Sequence, residues 1–67
     1  MMIVQARSNR SRWRFMGTAG SKELGEQMID DIIKNDDDYP IGRKRDITFR
    51  VVEMTVLYTR TGKVGWR

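Results

Sequence analysis

Between Gly20 and Lys34 the chain reads GSKELGEQMIDDIIK, its only clean helical period, and that one helix limits what the rest can be. Advancing about 100° per residue from Leu24 gathers Leu24, Met28, Ile32, Gly25, Ile29 and Ile33 within roughly half a turn of the helical wheel. Glu23, Glu26, Gln27, Asp30, Asp31 and Lys34 fill the other half. A helix with one apolar face must bury that face, and no second helix is in sight, so the remainder must supply a sheet. Ser21 reads as the N-cap; with Gly20 as the cap, Glu23 falls at N3 instead. Gly25 costs about 1 kcal/mol relative to Ala in a helix, yet it sits in the middle of the apolar face. There a missing side chain lets the helix approach a sheet closely.

The 67 residues allow a single small domain, 1–67, with a thin core. The chain contains no Cys and no His, so disulfides and His-based metal sites are excluded as staples. Tight helix-on-sheet packing, a homodimer or docking on a larger partner remain. No apolar run is long enough to span a membrane, and MMIVQARS is too short and too polar for a signal peptide. Lack of Cys suits a reducing cytoplasm.

The two strands before the helix are Met2–Arg7 and Arg12–Thr18, joined at Ser8-Asn9-Arg10-Ser11. A two-residue turn at Asn9-Arg10 pairs Arg7 with Arg12, Ala6 with Trp13, Gln5 with Arg14 and Val4 with Phe15. Val4, Ala6, Trp13 and Phe15 then face the core; Gln5, Arg7, Arg12 and Arg14 face out. A four-residue loop in nearly the same register is the alternative. After the helix, Asn35 to Gly42 is an acidic loop with Pro and Gly. Asp46 to Arg60 is rich in β-branched and aromatic residues and reads as one strand with a bulge or bend at Val51-Val52, where the alternation changes phase. Thr61-Gly62 is the next turn candidate, with Lys63 to Arg67 returning as a fourth strand. The expected fold is α+β: a small antiparallel sheet in ββαββ order, strand order 2-1-3-4, with the helix on one face.

Without His or Cys the commonest general base and thiol nucleophile are missing. Asp36-Asp37-Asp38 lacks the alternating ligand spacing of a cation loop and reads as a solvated acidic loop. No glycine-rich phosphate loop is present. A protein that is not an enzyme, with no metal and no cofactor, is the expectation. The charge, a formal net of +4, is mostly arginine on the basic side and is segregated along the chain. Arg7, Arg10, Arg12 and Arg14 form one block; Arg43, Lys44 and Arg45 form another. Like charges facing each other across a strand pair repel, so the hairpin arginines either splay into water or hold an anion. The second block either compensates the neighbouring Asp run or clamps phosphate. Trp13 reads as core. Trp66 reads as cover for a sheet edge or as an interface anchor.

The stretch VQARSNRSRWRFMGTAGSKELGEQMIDDIIKND combines a basic hairpin with a WR-type second strand, a small-residue turn and one amphipathic helix. It resembles small phage-encoded accessory proteins, and over about residues 3–58 its order of elements resembles the small RNA polymerase inhibitors of podophages. It also resembles the arm-type DNA-binding domains of tyrosine recombinases, which differ in having a third strand before the helix. The first resemblance implies a non-enzymatic protein of the host cytoplasm. Such a protein docks on a larger host protein or nucleoprotein with an acidic surface and modulates or inhibits it. The expected contacts are Arg7, Arg10, Arg12, Arg14, Arg43, Lys44, Arg45 and Trp66. A direct DNA- or RNA-binding module and a structural homo-oligomer completed by sheet pairing are the other two readings.

Overall fold

The computed structural model describes residues 1–8, 11–34 and 44–65. Among them the element order is β1 (Met2–Ser8), β2 (Arg14–Ala19), α1 (Lys22–Lys34), β3 (Lys44–Val52) and β4 (Val56–Gly65). The strands pair antiparallel in the order β2-β1-β3-β4, and α1 packs across one face. The α+β class, the ββαββ order and the 2-1-3-4 sheet are as expected. No helix among the described residues is long and apolar enough to cross a membrane.

Ser21 caps α1. Its Oγ accepts from the Leu24 N–H at 3.2 Å, and its carbonyl accepts from the Gly25 N–H at 3.0 Å. The buried line of the helix is Gly25 and Ile29, with Met28, Ile32 and Ile33 beside it. Leu24, expected to pack on the sheet, is 52% exposed. It lies at one edge of the apolar arc, and the helix is rolled so that the Gly25 side of the arc meets the sheet. The cause is close approach: a Cβ built on Gly25 would stand 2.8 Å from one methyl of Val51 and 3.0 Å from the other. The core beneath is Val4, Ala6, Ala19, Ile47, Phe49, Val51 and Val64.

Two parts of the expected strand pattern are corrected. In the first hairpin Ser11 N–H donates to the Ser8 carbonyl at 2.9 Å, so the chain reverses where expected. Pairing resumes one residue late, however: Arg14 lies opposite Ala6 and Phe15 opposite Gln5. A second irregularity follows at once, because Val4 pairs with Gly17 and Met16 is left as the extra residue. Directly paired residues share a face, so each one-residue slip exchanges faces. Phe15 and Trp13 therefore leave the core, and Phe15 is 66% exposed.

In the second hairpin the irregularity expected at Val51-Val52 is present as a register shift, but the strand ends there instead of continuing to Arg60. Residues 53–55 make the turn, with Glu53 N–H donating to the Thr55 carbonyl at 3.2 Å. The register then shifts so that Val51 faces Tyr58 and Val52 faces Val56. Thr61-Gly62 is not a turn; these residues pair with Thr48 and Ile47 in mid-strand. Gly62 is there for space, since a Cβ at that position would lie 2.6 Å from Ile33 Cδ1.

Candidate functional site

Alternation along β1 and β3 places Ile3, Gln5, Arg7, Thr48, Arg50 and Val52 on the face away from α1, because Val4, Ala6, Phe49 and Val51 are turned toward it. Pairing extends this open face to Phe15 on β2, and to Val56, Thr59, Thr61 and Lys63 on β4. One row across the sheet reads Phe15, Gln5, Arg50, Thr59. Its neighbours are Ile3, Val52 and Val56 on one side and Arg7, Thr48 and Thr61 on the other.

Trp13 lies over the middle of this face. The guanidinium carbon of Arg50 is 3.9 Å from the centroid of its ring and that of Arg7 is 4.4 Å away. Each contact is a cation–π interaction worth about 0.5–1 kcal/mol where water reaches it. They account for the late start of β2: the residue that should have paired with Ala6 is instead drawn over two guanidinium groups. Arg50 is further fixed by its Nε, which donates to Gln5 Oε1 at 2.7 Å. Arg7 Nε is buried with no hydrogen-bond partner. Neither arginine has a carboxylate partner among the described residues. Across β3 and β4 the hydroxyls of Thr48 and Thr61 meet at 3.3 Å.

On the opposite side of the molecule several charges pair with one another. Asp30 holds Lys34 at 2.9 Å and Arg60 at 3.0 Å, and Glu26 holds Lys22 at 3.1 Å. The hydrogen bond from Lys34, and then that from Arg60, hold the Asp30 carboxyl below the ordinary aspartate range. The same bond raises Lys34. The charges of the sheet and helix are thus divided by face. Asp30 and Glu26 pair with cations of their own side, and Arg7 and Arg50 on the open face have no carboxylate partner among the described residues. Asp46 also lies on the open face, directly opposite Lys63.

The expected arginine ribbon does not form as one surface. Arg7 is on the open face, and Arg14 pairs with Ala6 on the helix side. Arg12 is exposed just before β2. Arg45 is exposed on β3 opposite the buried Val64, also on the helix side. Lys44 begins β3 opposite Gly65. Arg10, Arg43, Trp66, the Asp36–Asp38 run and the side chain of Lys44 lie outside the described residues. Arg50 and Phe15 were not expected at a site. Arg50 carries no sequence signal beyond its alternation with Phe49 and Val51, and Phe15 was hidden by the assumed register. Among the described residues no group of carboxylates is placed to hold a metal ion. Compared with protein-family models, with curated proteins and with solved structures, the chain finds no match, so its resemblance to phage proteins rests on the order of its elements.

Proposed function

We propose that this protein is a non-enzymatic binding module of phage type, acting in the host cytoplasm, that docks on a larger nucleoprotein target through the open face of its sheet and modulates that target. The observation that carries this reading is the pair Arg7 and Arg50. Both guanidinium groups are stacked on Trp13, face away from the helix and have no carboxylate partner among the described residues. Arginine, tryptophan and an exposed phenylalanine on one surface are the residues that dominate binding hot spots. The acids of α1 lie on the other side, so an anionic partner meets a basic surface with little repulsion. Small size, the absence of His and Cys, and the phage-like order of elements support the remainder.

The test is capture from a bacterial lysate by the immobilised chain, compared with Arg7→Glu/Arg50→Glu and with Phe15→Ala. Melting temperatures are measured in parallel. A partner lost from both variants while Phe15→Ala keeps its melting temperature supports the reading. Retention of every partner by both folded variants overturns it.

A further inference from the structure

Resting on that reading, we infer that what the open face takes from its target is a single-stranded nucleic acid, with a base stacked on Phe15 and the phosphate backbone led across Arg50, Arg7 and Lys63. Phe15 is 66% exposed on a sheet that already has a filled core on its other side, so its exposure has no packing explanation. It ends the row that continues through Gln5 and Arg50 to Thr59, and Ile3 stands diagonally beside it. An apolar ring beside two cations and hydroxyl-bearing residues fits the two halves of a nucleotide. The ring offers a stacking surface to the base, and the guanidinium forks meet the phosphate.

The centre of the face is Gln5, Arg50, Thr48 and Thr61, with the Trp13 ring stacked over Arg50 and Arg7. Two guanidinium groups held side by side on one ring, with no carboxylate partner among the described residues, fit a phosphate track. A single strand fits better than a duplex. The bases of a duplex are stacked on one another, and their faces cannot reach Phe15. A single strand has base faces to offer, and aromatic side chains bind them without regard to sequence.

The experiment is fluorescence anisotropy with labelled oligothymidylate and oligouridylate of fifteen nucleotides, and a fifteen-base-pair duplex, at several salt concentrations. The full chain should bind the single strands more tightly than the duplex. Three cations on the backbone imply a log–log salt slope of about −2. Phe15→Ala should weaken single-strand binding roughly 5- to 150-fold while leaving the salt slope and the melting temperature unchanged. Arg50→Gln should lower affinity and reduce the slope by about 0.7. Equal affinity for duplex and single strand overturns the inference, as does a Phe15→Ala variant that binds like the parent. If no oligonucleotide binds but a partner is still captured from nuclease-treated lysate and lost in Arg7→Glu/Arg50→Glu, the partner is an acidic protein. The inference then fails while the docking reading stands. If neither assay shows binding at this face, both fail.

Discussion

The two phenylalanines of the chain sit on opposite faces of one sheet. Phe49 is fully buried under α1, and Phe15 is 66% exposed on the side away from α1. The covered face is apolar at its centre, and at its rim Asp30 pairs with Lys34 and Arg60 and Glu26 with Lys22. The open face has arginines at its centre, held by an indole ring and an amide rather than by carboxylates. One side of the sheet therefore carries most of what makes the chain fold. The other carries residues whose arrangement folding does not require.

The sharpest way to break that contrast is to truncate both phenylalanines. Phe49→Ala should cost about 3–5 kcal/mol, enough to leave a domain of this size largely unfolded. Phe15→Ala should change stability by less than about 0.5 kcal/mol. Denaturant titrations of the two variants measure both. Comparable losses would show that the open face belongs to the core after all.

Next in size is Gly25→Ala. Alanine favours the helix by about 1 kcal/mol, but the new methyl would press on both methyls of Val51, which is fully buried and stiff about χ1. Overpacking of this kind costs about 1–3 kcal/mol, so the net should run from about zero to a loss of about 2 kcal/mol. Val51→Ala in the same chain should recover part of it, and the double-mutant cycle reads the coupling directly. A stabilised Gly25→Ala would mean that α1 stands farther off the sheet than its contact with Val51 indicates.

What the sequence made legible follows the same division. The helix, its cap at Ser21, the role of Gly25 and the strand order could be read, because helical period and chain reversal are local signals. Register could not. An extra residue before β2 exchanges the faces of Trp13 and Phe15, a second at Met16 exchanges them back from Gly17 onward, and no residue type announces either slip. The second hairpin was hidden for a related reason. Its turn is Glu53-Met54-Thr55, without Gly, Pro or Asn, whereas Gly62, which looks like a turn residue, makes room for Ile33. Of the candidate site, Arg7 was visible as part of a basic block. Arg50 becomes its neighbour only through the pairing of β1 with β3, which depends on residues far apart in the chain.

Trp13 tests the open face itself. Trp13→Leu keeps an apolar side chain but removes the ring that Arg7 and Arg50 stack on, and should cost about 1 kcal/mol. In an Arg7→Met/Arg50→Met background the same change should cost close to nothing. An unaltered cost there would assign Trp13 to apolar packing alone and remove the indole as the element that holds the guanidinium groups in place.

The smallest effect belongs to the rim of the covered face, and its sign is fixed by linkage. Asp30 has its pKa lowered in the folded chain, first by the hydrogen bond from Lys34 and then by that from Arg60. Its contribution to stability is therefore present above the unfolded-state value, about 4, and is lost as pH falls through the lower folded value. Lys34 has its pKa raised, chiefly by Asp30 and also by Asp31. Its contribution is present below the unfolded value of about 10.4 and disappears as pH rises through the folded one. Arg60 is raised from an already high value and stays charged throughout. The cluster thus supports the fold across neutral pH and weakens at both ends. The side chains are solvent-exposed, so the effect is modest and screened by salt. Asp30→Asn should lower the melting temperature slightly at pH 7, and its curve should meet that of the parent once pH has fallen through the lowered folded-state pKa of Asp30. Raising the salt concentration at pH 7 should narrow the gap in the same way. Parallel curves across the acid range would mean that the helix-side charges are not matched in solution. The charge difference between the two faces would then be smaller than their contacts imply.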